Sequence, residues 1–434
     1  MGERVPIETE KKKERVVLLA VDIGDGSDVD ASLDELAELA DTAEAEVVGR
    51  LVQARESFHP GTYVGKGKIE EVLEVVRFER ADTVICDDEL SPAQMSNLGE
   101  ALGVKVIDRT VLILDIFAAH ARTGEGKLQV ELAQLRYRSS HLIGMGHVLS
   151  RLGGGIGTRG PGETKLEADR RQIRERIAVL NRKLKDVVKN RDVMRAGRTE
   201  SGVPTVAIVG YTNAGKSTLL NHLTQAGVLS EDKLFATLDT TTRSLELESG
   251  QKFLFTDTVG FIHKLPHTVI KAFRSTLEEA GYADILLHVV DLSNPRYEEQ
   301  MRVVYETLEE LDIAGKPILT AFNQVDMVFT PGVRREVAGP FRRDAIAGTK
   351  DPCADEQVFI SAKTGEGVDE LLKKLEEIAG AGMIDIEKVF PFDQAGRLQY
   401  IRTYGKLLEE TYREDGIYVR AKVPAEGLHL LGDN

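Results

Sequence analysis

Residues 210–217 read Gly-Tyr-Thr-Asn-Ala-Gly-Lys-Ser and follow the apolar run Val206-Ala207-Ile208-Val209. A G-x-x-x-x-G-K-[ST] segment in that place dictates a buried strand, a glycine-dependent loop and a helix in immediate succession, which commits the surrounding stretch to an α/β sheet. Chemistry is attached to each position. Glycine at 210 and 215 lets the backbone wrap a polyphosphate, and the N–H groups of Tyr211, Thr212, Asn213 and Ala214 are predicted to point inward. Lys216 is predicted to reach the β/γ-phosphates and Ser217 to ligate magnesium, with Thr218 beside it where a helix presents its positive end.

Further parts of a nucleotide switch follow in order. Asp257-Thr258-Val259-Gly260 succeeds the strand-like Phe253-Leu254-Phe255, which places a carboxylate for the magnesium shell and a glycine N–H for the γ-phosphate. Asn323-Gln324-Val325-Asp326 ends the apolar run 317–322, and the Asp326 carboxylate is suited to accept both N–H donors on one edge of guanine. Ser361-Ala362-Lys363 follows Val358-Phe359-Ile360 and is predicted to close the base pocket. Four such segments in this order point to a GTP-binding, GTP-hydrolysing module rather than four unrelated loops. Asn213 also places a carboxamide within this loop. Its side-chain oxygen is therefore a candidate ligand for K+ beside the phosphates, against the alternative that it only shapes the loop.

At 434 residues and 42% hydrophobic content, the chain is long enough for three or four units with real cores. Cys86 and Cys353 lie far apart without metal-like spacing, so reduced thiols are expected rather than a disulfide framework or zinc site. The apolar run 16–21 is too short for a signal peptide, and no stretch approaches a membrane span; a cytoplasmic protein, monomeric when free, is expected. Net charge is −15, yet residues 121–200 hold 18 Lys+Arg against 9 Asp+Glu, a net +9 that leaves −24 for the rest. This asymmetry argues against indiscriminate nucleic-acid binding and for one basic surface.

Residues 15–124 alternate strand-like and helix-like runs, which predicts a small parallel α/β domain. Its glycine-rich segment 61–68 lacks phosphate-loop spacing and reads as a turn with solvated lysines rather than a second phosphate site. Asp87-Asp88-Glu89 reads as an exposed acidic loop capping the next helix, not a metal cluster. Residues 125–200 read as two long helices, the first with the apolar stripe Leu128, Leu132 and Leu135. The second carries Ile173, Ile177, Leu180, Leu184 and Val187 at coiled-coil spacing. Between them, Gly153-Gly154-Gly155 and the rest of a glycine-rich tip belong to neither helix. Arg151, Gly153, Gly154, Gly155, Arg159, Arg170, Arg171 and Arg174 are candidate contacts to structured RNA, where shape and phosphates dominate recognition. The bland alternatives are a flexible tip and a solvated coiled-coil face. His141 and His147 read as ordinary surface residues. A GTPase domain is expected over 203–380, and a small α+β domain over 383–434 from the strand–helix–strand pattern of 389–392, 395–412 and 417–423.

The block Val106-Ile107-Asp108-Arg109-Thr110, the stretch 121–135, the glycine-rich loop 153–163 and Asp393-Gln394-Ala395-Gly396-Arg397-Leu398 together resemble the HflX family of translation-factor-related GTPases. The resemblance spans nearly the whole chain. It implies an N-terminal α/β domain, a helical hairpin, a P-loop GTPase domain and a small C-terminal domain. It also implies GTP and GDP as ligands, and binding to the large ribosomal subunit and its RNA with splitting of stalled or idle ribosomes. Within the family pattern Phe235-Ala236-Thr237-Leu238-Asp239, Thr237 matches the switch I threonine that closes on Mg2+ and the γ-phosphate, with Thr240, Thr241 and Thr242 as nearby competitors. Lys216, Thr237 and Gly260 then form the catalytic set, and Ser217, Thr237 and Asp257 the magnesium set. Phe261 follows Gly260 where many regulatory GTPases carry glutamine; a phenyl ring cannot orient the attacking water, so slow intrinsic hydrolysis is expected. Gln324 replaces the commoner lysine of the guanine motif, which keeps an aliphatic stem over the base and loses the cation. The alternative within the enzyme class is a GTPase of ribosome assembly or RNA modification, and the alternative of another class is an RNA-binding scaffold with weak GTPase activity.

Overall fold

A computed structural model of the chain describes residues 13–152, 161–199, 203–224, 234–235, 241–266, 269–270, 279–313, 315–327, 349–380, 383–424, 428 and 431. Two compact units are present: residues 1–184 with 264–272, and residues 185–263 with 273–434.

The first unit is built on a parallel sheet of order β2-β1-β3-β4, from β1 (Arg15–Asp22), β2 (Glu46–Ala54), β3 (Thr83–Cys86) and β4 (Lys105–Asp108). Central β1 reads Val-Val-Leu-Leu-Ala-Val between its ends and is buried along that whole run, as a parallel strand covered on both faces must be. The crossover helices are α1 (Val29–Thr42), α2 (Lys66–Glu79) and α3 (Pro92–Leu102), and α4 (Arg109–His120) follows β4. Local chemistry starts three of them: Asp28 caps α1, Ser91 and Gln94 form a reciprocal capping box on α3, and Asp108 caps α4.

Several expectations are corrected in this unit. Asp87 is not part of an exposed acidic loop: it is 1% exposed and accepts hydrogen bonds from Ser32 Oγ (2.7 Å), Arg109 Nη1 (2.7 Å) and Lys264 Nζ (2.5 Å). Arg109, itself buried, also pairs with Glu35, while Asp88 accepts from Tyr63 Oη (2.5 Å) and Lys264 Nζ (2.8 Å). A local acidic run gives no warning of cations 22 and 177 residues away. In the 61–68 turn, His59 Nδ1 accepts from the Gly61 and Thr62 N–H groups and Gln53 Oε1 from that of Gly65, so the turn satisfies itself. Lys68 pairs with Glu71 at 2.6 Å instead of standing in solvent.

Two long helices follow, α5 (Gly124–Leu152) and α6 (Pro161–Thr199). In α5 the buried face is Gln129, Val130, Leu132, Ala133 and Tyr137; Leu128 and Leu135 are only half-buried, so the stripe is rotated from the expected one. Along α6, Leu180 is fully buried, whereas Ile173, Ile177, Leu184 and Val187 are half-buried. Arg170 is half-buried and donates to the Leu142 carbonyl at 3.0 Å, which withdraws it from the exposed RNA-facing set. Arg171 and Arg174 are exposed. His141 is not a plain surface residue: it stacks on Tyr137 at 4.0 Å with Nε2 3.1 Å from the Leu90 carbonyl. Gly153, Gly154, Gly155 and Arg159 lie outside the described residues, as do the side chains of Arg151 and His147.

The second unit carries a six-stranded sheet of order β10-β9-β8-β5-β7-β6. Its strands are β5 (Thr205–Gly210), β6 (Thr241–Glu246), β7 (Lys252–Asp257), β8 (Ile285–Asp291), β9 (Ile318–Asn323) and β10 (Glu356–Phe359). All neighbours are parallel except edge strand β6, which runs antiparallel to β7. Helices α7 (Lys216–Thr224), α8 (Tyr297–Glu310) and α9 (Val368–Gly380) accompany it. The apolar faces of α7 and α9 close a core with β5, β7, β8, β9 and β10 that includes Ile208, Leu219, Phe255, Leu287 and Leu371.

An antiparallel sheet β11-β13-β12 follows, with α10 (Leu398–Tyr404) packed on it. Its strands are β11 (Met383–Phe390), β12 (Lys406–Arg413) and β13 (Gly416–Pro424). The helix expected through residue 412 stops at Gly405. A Cβ there would come within 2.6 Å of the Lys422 carbonyl, so the chain turns against β13 at a position only glycine fits. The fold is α/β and multidomain, and among the described residues no helix is long and apolar enough to cross a membrane.

Candidate nucleotide site

Open parallel sheets bind ligands beyond the carboxyl ends of their strands. Here those ends bring together the segments that follow β5, β7, β9 and β10. Residues Gly210 to Gly215 turn between β5 and α7, with Asn213 at φ +61° and Gly215 at φ +92°. Asparagine enters this left-handed region more readily than other side chains, which meets the loop-shaping reading of Asn213.

Lys216 is buried at the start of α7, and its Nζ donates to the Tyr211 carbonyl at 2.6 Å. Burial pushes its ammonium down to about 8, and the Asp257 carboxylate pulls it partly back. Ser217 Oγ donates to Asp257 Oδ2 at 2.8 Å, and Asp257 is fully buried at the end of β7. Thr258 Oγ1 donates to the Ile208 carbonyl at 2.7 Å, which holds the start of the 257–260 segment on β5. A Cβ on Gly260 would lie 2.8 Å from Thr212 Cγ2 and 2.9 Å from Lys216 Nζ, so only glycine brings this backbone against the loop.

Asn323 ties the two halves of the site. Its Nδ2 donates to the Ala214 carbonyl and its Oδ1 accepts from the Ala362 N–H, both at 2.8 Å. Gln324 adopts φ +64°, and the Ser293 hydroxyl sits between its Oε1 (3.0 Å) and the Asp291 carboxylate (2.6 Å). Asp326 is half-buried in the short 3-10 turn Val325–Met327. Ser361 and Ala362 are buried, Lys363 is exposed, and Ser361 Oγ accepts from the Thr364 N–H at 3.2 Å. Thr218 lies in the first turn of α7, and Val259 is buried. Thr237 and Thr240 lie outside the described residues. Thr241 and Thr242 stand on β6, with Thr242 Oγ1 3.0 Å from Thr256 Oγ1.

Sequence reasoning missed Asp291 and Ser293. Asp291 ends an apolar strand just as Asn323 does, and that shared position was the available signal. It also missed the Tyr211 side chain, since the loop pattern leaves position 211 open.

Three family models match in tandem. "GTP-binding GTPase N-terminal" covers residues 30–118, "GTP-binding GTPase Middle Region" 120–198 and "50S ribosome-binding GTPase" 205–324. GTPase HflX of Lacrimispora saccharolytica is 56% identical over 428 residues, 99% of this chain and 98% of its own length. Its counterpart in Caldanaerobacter subterraneus is 48% identical over 96% of this chain and 93% of its own length. That of Escherichia coli is 43% identical over 84% and 82%. With this identity sustained over nearly the full length, the chain belongs to the HflX family of GTPases and is a GTP-binding, GTP-hydrolysing enzyme.

Proposed function

We propose that GTP occupies the loop 210–217 and the base pocket of Asn323, Asp326 and Ser361–Lys363, and that this nucleotide switches binding to the large ribosomal subunit, with splitting of stalled or idle ribosomes as the outcome. The observation that carries the reading is the geometry around Lys216. A buried lysine, a serine–aspartate pair and a glycine backbone converge within one loop's reach, in a segment that matches a family described as ribosome-binding. Ser217 and Asp257 offer hard oxygen donors side by side, a set that fits Mg2+, which would offset charge between the phosphates. Thr237 is proposed as a further ligand from switch I. Asn213 is the proposed ligand for K+.

The chain's own residues divide the work. The loop N–H groups and Lys216 grip the phosphates, Gly260 offers its N–H to the γ-phosphate, and Asp326 reads guanine. Phe261 is 1% exposed, so its ring does not reach out to position water, which supports slow intrinsic turnover. Exposed Arg171 and Arg174 support an RNA-facing surface on α6, and Gly153, Gly154, Gly155 and Arg159 are proposed as further RNA contacts. The test is co-sedimentation with isolated ribosomal subunits, paired with light scattering of intact ribosomes. Retention on the large subunit with a non-hydrolysable GTP analogue, little with GDP, and a fall in scattering on addition of the GTP form are expected. Equal retention in both nucleotide states would overturn the switch, and retention without a scattering change would overturn splitting.

A further inference from the structure

Position 211 of the phosphate loop is chemically open, yet here it is a tyrosine that is 7% exposed and touches both the lysine and the segment after Gly260. Three rungs join the two strands of backbone. The Phe261 N–H donates to the Gly210 carbonyl (3.1 Å), the Thr212 N–H donates to the Phe261 carbonyl (2.7 Å), and the His263 N–H donates to Tyr211 Oη (2.7 Å). The first two are ordinary ladder bonds of the Tyr211–Phe261 bridge. In the third, a side-chain hydroxyl extends the ladder to His263. The Tyr211 carbonyl meanwhile holds Lys216 Nζ at 2.6 Å.

The geometry points to Tyr211 as a positioning residue for GTP hydrolysis. Its hydroxyl fixes the Ile262–His263 peptide on the phosphate loop and, through the two rungs at Phe261, steadies where the Gly260 N–H stands. The Gly260 backbone precedes the first rung by one residue and packs on Thr212 and Lys216, so freedom beyond Phe261 is passed directly to it. Phe261 offers no side-chain hydrogen bond of its own, which leaves backbone placement as the means of aiming this segment. The inference rests on the reading of Gly260 as the γ-phosphate donor.

Tyr211→Phe removes only the hydroxyl and keeps the ring in place. The expected result is a kcat for GTP reduced about two- to tenfold, the range of one net hydrogen bond, with KM for GTP and affinity for GDP within about twofold of wild type. Hydrogen exchange at the His263 amide should accelerate while the amides of β5 keep their protection. An unchanged kcat, or an unchanged His263 exchange rate, overturns the proposal. So does a loss of GDP affinity and melting temperature in step with kcat, which marks a merely structural tyrosine. Gly260→Ala separates the underlying reading. If it leaves hydrolysis intact, the γ-phosphate assignment fails; if it abolishes hydrolysis while Tyr211→Phe is silent, only the tyrosine proposal fails.

Discussion

Lys216 shows how much one residue's surroundings add to what a motif states. The motif alone gives a cation at the β/γ-phosphates; burial adds a titration near neutrality, because the ammonium is held down to about 8. On the proposed reading, the charged form grips the phosphates. Affinity for GTP is therefore full below about pH 8 and declines as pH rises through it, by up to about tenfold per unit, because binding must then take up a proton. Calorimetric titrations between roughly pH 7 and pH 9 check this, with Lys216→Met as the reference that lacks the slope. A wild-type profile as flat as that of the variant would contradict it. Gly260 was singled out in the sequence as a γ-phosphate donor, and the structure adds its close backbone approach to Thr212 and Lys216. The side chain of Tyr211 was not legible, because its partner, the His263 N–H, lies 52 residues away on another loop.

Among the elements, those whose boundaries are written locally were the easiest to read. The helix Pro92–Leu102 is one of these, since Ser91 caps its start and Gly103 closes its end. The helix expected through residue 412 failed because Gly405 stops it for a tertiary reason, the approach of β13. Burial of Asp87 was illegible because its cationic partners come from α4 and from Lys264. That cluster joins the end of interior strand β3 to α1 and α4, so breaking it should loosen the carboxyl end of the sheet. Asp87→Ala leaves Arg109 buried with one carboxylate fewer and is expected to cost about 3–5 kcal/mol in chemical denaturation. Tyr63→Phe, which removes one hydrogen bond to Asp88, is expected to cost only about 1 kcal/mol. Comparable losses for the two variants would show that the buried ion pairs do not dominate this end of the sheet.

Across the whole molecule, charge is segregated: +9 over residues 121–200 against −24 elsewhere. An acidic chain with one basic segment should meet a polyanion through that segment alone, and the encounter should weaken as salt rises. On the proposed ribosome-binding reading, replacing Arg171 and Arg174 by Glu is expected to lower large-subunit affinity about tenfold or more. The same change should flatten the slope of log affinity against log salt by about two. GTP turnover without ribosomes should be unaffected, since neither residue belongs to the nucleotide site. Binding measured by filter retention over a salt series gives both quantities, and an unaltered slope would remove these arginines from the contact.

The carboxamide of Asn323 is hydrogen-bonded at one end to Ala214, in the wall proposed to surround the phosphates, and at the other to Ala362, in the wall proposed to surround the base. One planar group thus serves as a shared hinge pin. A ligand that orders either wall fixes the orientation of the amide and prepares the other. Pyrophosphate and guanosine, offered as separate fragments, should then each tighten the binding of the other, so that a nucleotide is sensed as a single object rather than as two independent pieces.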